Sequence, residues 1–256
     1  MSLLTIDSLT MQFGGLTAIR ELSFSVAPGE IRGLIGPNGA GKTTLFNVVS
    51  GVYRPSGGRI LFKETDVSTL KPHQTARLGL VRTFQAITLF KNFSVLKNVM
   101  VGGHLHSNYS YWGALLNTGR TRARERENER KAMEILEFMG LAQYRDEPAA
   151  NLPHGHQRAL GIAIAMAAEP ELLMLDEPCT GMNPKETDEI VELIKKIRDR
   201  GISILLIEHD MKVVMGICDI ITVINFGEKI AEGAPEAIRN DPGVNEAYLG
   251  SDIHAA

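Results

Sequence analysis

Ile31-Arg32-Gly33-Leu34-Ile35-Gly36-Pro37-Asn38-Gly39-Ala40-Gly41-Lys42-Thr43-Thr44 is the stretch on which the reading of this chain turns. Gly36 to Thr43 fits the pattern G-x-x-x-x-G-K-[ST], and it stands where that pattern has chemical meaning, after a short apolar run and before a helical one. Ile31–Ile35 is β-branched and apolar, which predicts a strand; the segment from Lys42 towards Ser50 predicts a helix that ends near Gly51. Glycines between the two let successive backbone N–H groups curl around phosphate oxygens, and the positive end of the helix dipole adds to the attraction. Lys42 then reaches the β- and γ-phosphates of a nucleoside triphosphate, and the Thr43 hydroxyl suits Mg²⁺, a hard cation that takes few protein ligands.

A phosphate loop of this kind calls for a second element, an apolar strand that ends in an acid. Leu172-Leu173-Met174-Leu175-Asp176-Glu177-Pro178 supplies it. Asp176 suits the metal and Glu177, one residue on, suits polarising an attacking water. Leu172–Leu175, Ser203–Ile207 and Ile220–Ile224 are unbroken apolar runs, the mark of strands covered on both faces, and predict a parallel α/β core. Further strands are expected at Leu3–Leu9 and Leu22–Val26. Between Phe84 and Pro170 helical patterns take over, with Ala132, Ile135, Leu136 and Met139 at helical spacing, so an inserted helical region is expected there. Within it, Arg120 to Lys131 interleaves Glu125, Glu127 and Glu129 with the basic residues and reads as a solvated helix face. From Ala234 onward the sequence predicts a short helix, a turn at Asn240-Asp241-Pro242-Gly243, a segment Val244–Leu249 and a loose tail.

Composition narrows the function classes. A chain of 256 residues with 44% hydrophobic and 22% charged residues has enough apolar material for one or two packed domains. Its 27 basic and 30 acidic residues leave a net charge of −3, which supplies no global field for a nucleic-acid backbone, and no nucleic-acid partner is expected. The longest apolar run, Ala159 to Ala168 with Gly161 counted, is too short for the roughly 20 residues that cross a bilayer. The opening Met1-Ser2-Leu3-Leu4-Thr5-Ile6-Asp7 shows no secretory pattern, and Cys179 and Cys218 read as buried thiols of a reducing compartment.

These residues, in this order, resemble the ATP-binding subunits of ABC transporters. By that resemblance Phe13 corresponds to the aromatic residue that stacks on adenine. Arg82-Thr83-Phe84-Gln85 corresponds to the glutamine loop, with Gln85 near Mg²⁺ and the attacking water, and Leu206-Ile207-Glu208-His209-Asp210 to the segment whose histidine, His209, contacts the γ-phosphate. Taken singly, Phe13 reads more readily as core, Gln85 as surface and His209 as a helix cap. The family's signature L-S-G-G-Q is altered here to Leu152-Pro153-His154-Gly155-His156, in which the leucine and second glycine agree. Pro153 has neither the hydroxyl nor the N–H of the usual serine, while Gly155 and the helix that follows keep amides for a phosphate bound by the opposite subunit. Thr180-Gly181-Met182-Asn183 replaces the usual S-A-L-D. His154 and His156 lack the further ligands a metal site needs.

The implied architecture is α/β: the ABC ATPase fold, with a P-loop NTPase (RecA-like) parallel-sheet core, an N-terminal antiparallel β segment and an inserted helical subdomain. It would form a single ATP-binding domain over residues 1–250, the core about 1–85 and 170–235, the helical subdomain about 86–169 and a C-terminal extension about 236–256. ATP and Mg²⁺ are the implied ligands. Gly36, Pro37, Asn38, Gly39, Ala40, Gly41, Lys42, Thr43 and Thr44 would hold the nucleotide from one subunit and Gly155 from the other; Thr43, Gln85 and Asp176 would hold the metal. Glu177, His209, Gln85 and Lys42 would carry catalysis.

Phe13-Gly14-Gly15-Leu16, Gly181-Met182-Asn183-Pro184-Lys185-Glu186-Thr187, the charged helical insertion and the ending Asn245-Glu246-Ala247-Tyr248-Leu249-Gly250 are similar, in particular, to the ATPase of branched-chain amino acid importers. That resemblance implies a peripheral protein at the cytoplasmic face of the inner membrane. Its partners would be two integral membrane permeases, a second homologous ATPase or a second copy of itself, and, indirectly, a periplasmic or lipid-anchored substrate-binding protein. Leu89, Phe90 and Phe93 read either as the groove that meets the permeases or as subdomain core. ATPases of urea or short-amide importers are closely similar in sequence, and a lipopolysaccharide-export ATPase shares the style of the ending. A soluble non-transport ABC ATPase would need coiled-coil arms, zinc-type cysteine pairs or tandem cassettes, and a P-loop GTPase would need the guanine-reading N-K-x-D; the sequence has none of these.

Overall fold

A computed structural model describes residues 2–83, 89–106 and 119–253 of the chain. Its strands are β1 (Leu4–Phe13), β2 (Leu16–Val26), β3 (Ile31–Ile35), β4 (Gly57–Phe62), β5 (Thr65–Asp66), β6 (Leu80–Arg82), β7 (Leu172–Asp176), β8 (Ser203–Ile207), β9 (Ile220–Asn225) and β10 (Glu228–Gly233). Its α-helices are α1 (Lys42–Val49), α2 (Pro72–Arg77), α3 (Val95–Gly102), α4 (Gly119–Phe138), α5 (His154–Met166), α6 (Pro184–Asp199), α7 (Met211–Ile217), α8 (Pro235–Arg239) and α9 (Pro242–Ile253). The strands form two sheets, β2-β1-β4-β5 and β10-β9-β3-β8-β7-β6. The first is antiparallel. In the second β6, β7, β8, β3 and β9 run parallel, with β10 added antiparallel at the edge.

Side-chain alternation on the parallel strands divides the interior into two cores. Ile31, Ile35, Leu173, Leu175, Ile204 and Leu206 face the helical layer of α3 to α7. Leu34, Leu172, Met174, Leu205 and Ile207 face the opposite way, against α1 and the antiparallel sheet. Each fully buried Leu, Ile or Val side chain contributes about 1.5–3 kcal/mol relative to exposure, so a strand apolar on both faces is held from both sides. In α4, Ala132, Leu136 and Met139 are buried while Ile135 is partly so, giving the stripe the spacing predicted. Its outer face is exposed and bound by short-range pairs: Arg130 meets Glu127 at 2.6 Å and also Glu134, and Lys131 meets Glu169 at 2.6 Å.

Three expectations are corrected. β1 continues to Phe13 and β2 begins at Leu16, well beyond the ends predicted at Leu9 and Leu22. Register shifts in their pairing, with Ser8 and Glu21 at φ 49° and 45°, break the two-residue alternation that sequence reading depends on. Pro242-Gly243 is not a turn but the start of α9, which runs on to Ile253; Asp241 accepts the Val244 amide at 3.0 Å, and proline is well suited to a helix's first position. Among the described residues no helix is long and apolar enough to cross a membrane.

Candidate functional site

Parallel strands bring their carboxyl ends to one edge, and the crevice outside that edge is where such sheets bind ligands. Here the edge collects the loop after β3, Asp176-Glu177 after β7, Glu208-His209 after β8 and Arg82-Thr83 after β6.

The loop between β3 and α1 admits only glycine at two points. Gly36 lies at φ 157°, and a Cβ there would stand 2.1 Å from the Ile224 carbonyl oxygen; at Gly41, φ 104°, it would stand 2.7 Å from that of Ala18. The loop is thus wedged between β9 and β2, and the Gly227 amide donates to the Ala40 carbonyl at 3.0 Å. Lys42 opens α1 and curls back so that Nζ donates to the carbonyls of Gly36 at 2.6 Å and Pro37 at 3.0 Å. Burial lowers its pKa, and the charges of Glu177 and Asp176 oppose that shift.

Asp176 ends β7 with its side chain 2% exposed. Glu177 follows at φ 49°, a left-handed conformation that costs a non-glycine residue about 1–3 kcal/mol and is held only where the surroundings impose it. Its amide donates to the Ile207 carbonyl at 3.0 Å, its Oε2 accepts the Thr180 hydroxyl at 3.2 Å, and its Oε1 stands 3.9 Å from His209 Nδ1. His209 is exposed and is not the cap of α7; Asp210 fills that role by accepting the Lys212 amide at 2.8 Å.

Phe13 is exposed at the end of β1, edge-on to Tyr53 at 5.4 Å, so the core reading fails for it. Phe90 and Phe93 are likewise exposed and stack at 5.3 Å, whereas Leu89 packs partly against the core. Asn98 fixes that loop by donating to the carbonyls of Phe90, Phe93 and Ser94 and accepting the Phe90 amide. Gln85 lies outside the described residues.

The Leu152–His156 segment does open a helix. Pro153 is the N-cap of α5 and provides no side-chain cap, and the Gln157 side chain instead donates to the Leu152 carbonyl at 2.8 Å. First-turn amides of a helix lack intrahelical acceptors, so those of His154, Gly155 and His156 remain for an anion. His156 lies against the Tyr144 ring at 5.0 Å. Asn183 caps α6, accepting the Glu186 amide at 3.0 Å while Glu186 accepts its amide at 3.1 Å. The spacing Asn183-Pro184-Lys185-Glu186 carried that capping signal in the sequence.

Two residues without an assigned role emerge. Glu208 is 1% exposed; it accepts the Cys179 amide at 2.8 Å and the His209 amide at 3.2 Å, tying the turn after Glu177 to the segment that holds His209. Arg82 donates to Asp176 Oδ2 at 2.7 Å and to Asn47 Oδ1 at 2.7 Å. The thiols themselves are buried, and desolvation pushes Cys179 well above its ordinary range and Cys218 up to about 12.

The ABC transporter family profile matches residues 19–180, from β2 through the turn after Glu177. The chain belongs to the ABC transporter family. A second profile, the branched-chain amino acid ATP-binding cassette transporter, matches residues 228–254. The chain is 47% identical to the high-affinity branched-chain amino acid transport ATP-binding protein LivG of Escherichia coli strain K12, over 97% of this chain and 98% of that one. It is 45% identical to BraF of Pseudomonas aeruginosa, with the same function in its name and the same shares covered. Among solved structures it matches an ATP-binding cassette of an ABC transporter in its ADP conformation, with 30% identity, a TM-score of 0.85 and coverage of 98% and 99%.

Proposed function

We propose that this protein is the ATP-hydrolysing subunit of an importer for branched-chain amino acids, working on the cytoplasmic face of the inner membrane as one of two paired cassettes. The single ATP-binding domain read from the sequence belongs to the same proposal. The observation that carries it is the convergence of Lys42, Asp176, Glu177 and His209 on one sheet edge, with Glu177 Oε1 and His209 Nδ1 3.9 Å apart. Similarity to LivG and BraF over nearly the full chain supports the substrate class.

Gly36 to Thr44, Lys42 among them, bind the triphosphate, and Phe13, exposed at the end of β1, stacks on the base. The described donors fit Mg²⁺: an exposed Thr43 hydroxyl and a buried carboxylate at Asp176, both hard oxygen ligands; Gln85, outside the described residues, is added to them on the family resemblance alone. When bound, that ion neutralises charge on the β- and γ-phosphates. Glu177 takes the proton of the attacking water on a carboxylate oxygen, and His209 steadies that carboxylate and meets the γ-phosphate. The signature helix of a second cassette offers its amides from the opposite side, so ATP closes the pair and hydrolysis releases it. Phe90 and Phe93, stacked and exposed on the loop that Asn98 fixes, meet the permease subunits. A periplasmic or lipid-anchored binding protein delivers the amino acid to those permeases.

The test is nucleotide binding set against turnover. Glu177→Gln should hold MgATP within about threefold of the unaltered protein while phosphate release falls by about 10²–10⁴. Lys42→Ala should lose both. Steady phosphate release near the original rate from the Glu177 variant removes it from the base role.

A further inference from the structure

The sequence singled out Arg82 only as the first residue of a loop segment, yet the structure gives its guanidinium a defined place. Its side chain is 6% exposed. One nitrogen, Nη2, donates to Asp176 Oδ2 at 2.7 Å; the other, Nη1, donates to Asn47 Oδ1 at 2.7 Å and lies 3.4 Å from Ser50 Oγ. The guanidinium carbon stands 5.4 Å from the Phe46 ring centroid. Asn47, Ser50 and Phe46 belong to α1 and its end, so the arginine bridges the helix that carries Lys42 to the strand that carries Asp176. Its own position is fixed by backbone pairing: Arg82 is in register with Met174 of β7, and the Thr83 amide donates to the Met174 carbonyl at 2.9 Å. A planar fork with two arms satisfied on two different elements holds an orientation that a flexible ammonium cannot.

We propose that Arg82 is a positioning residue that keeps bare divalent cations off Asp176 and so makes the metal enter only together with the triphosphate. The inference rests on the assignment of Asp176 to the metal. Asp176 is already ion-paired with Arg82 at 2.7 Å, and Lys42 feels the charges of Glu177 and Asp176, so the protein alone does not present Asp176 to an incoming ion as a bare negative charge. Mg²⁺ gives up its waters reluctantly and needs charge in return. The phosphates bring that charge and engage Lys42, which tips the balance towards the metal. Removing the positive charge of Arg82 leaves Lys42 as the remaining cation facing both Asp176 and Glu177, and the negative charge this uncovers is what a divalent cation compensates.

Mn²⁺ serves as the probe, followed by the electron paramagnetic resonance of the free ion, with the full-length chain and a non-hydrolysable ATP analogue. Measured against the analogue alone, which itself chelates Mn²⁺, the original protein should retain Mn²⁺ at least about tenfold more tightly with the analogue than without it. Arg82→Gln, which removes the charge and falls short of the positions held by Nη1 and Nη2, should gain a nucleotide-independent Mn²⁺ site about tenfold tighter than the original protein shows. Asp176→Asn added to that variant should abolish the gain, and Arg82→Lys, which keeps the charge, should not gain the site. Equal Mn²⁺ affinity in the original protein with and without the analogue overturns the proposal and requires no variant. So does a folded Arg82→Gln that binds Mn²⁺ no better, or a gained site that survives Asp176→Asn. Failure of Mn²⁺ to bind even with the analogue instead overturns the metal assignment beneath it.

Discussion

The phosphate loop and the signature turn each offer an anion the first-turn amides of a helix, and they are built in opposite ways. At the first, Gly36 and Gly41 are pressed against the carbonyls of Ile224 and Ala18, and Lys42 is held by carbonyls of its own loop. At the second, Pro153 caps α5 without a side-chain bond, and the space beside Gly155 is bounded not by backbone but by the Glu186 side chain, 3.3 Å from a notional Cβ. One half is complete within the chain, where neighbouring strands enforce its shape. The other, in the proposed pair of cassettes, is completed by the nucleotide on the facing subunit.

Three substitutions probe that asymmetry. Gly36→Ala should do the greatest damage: a methyl group 2.1 Å from the Ile224 carbonyl, on a backbone at φ 157°, should cost about 3 kcal/mol, lower Tm by about 6–12 °C and abolish nucleotide binding, as read by thermal melts and a fluorescent ATP analogue. Gly155→Trp comes next. Making room costs Glu186 its bond to the Asn183 amide, so Tm should fall by about 2–4 °C while the single chain binds MgATP as before, and ATP hydrolysis by paired cassettes should fall about 10²-fold. Loss of nucleotide binding by the isolated variant would show that both halves lie within one chain and dissolve the contrast. The smallest effect belongs to Pro153→Ser, which restores a hydroxyl at the cap: the apparent ATP affinity of the paired form should rise about fivefold, near 1 kcal/mol, with stability nearly unchanged because proline's restraint on the unfolded chain is lost. An unaltered affinity would mean that the amides alone define the second half.

Legibility in the sequence follows the same division. β3, β7, β8 and β9 could be read because burial on both faces leaves unbroken apolar runs, and α1 because a glycine loop announces it. β6 spans only Leu80–Arg82, and β10 is largely exposed, so neither leaves a pattern. Lys42, Asp176 and Glu177 were visible because they sit where a readable helix begins and a readable strand ends, whereas His209 was visible only through the family resemblance. Arg82 and Glu208 were named within motifs but given no task, because their meaning depends on which strands lie side by side. The Arg82 contact with Asp176 exists because β6 pairs with β7, and nothing local to Leu80-Val81-Arg82 specifies that neighbour.

The two sunken thiols have a practical corollary. With Cys179 and Cys218 both covered and reluctant to ionise, the native protein should remain silent towards maleimides at neutral pH. A single cysteine introduced on the Phe90–Phe93 loop could then carry a spin label or dye against a dark background, turning the opening and closing of the cassette into a signal measurable in real time without stripping the chain of its own sulfur.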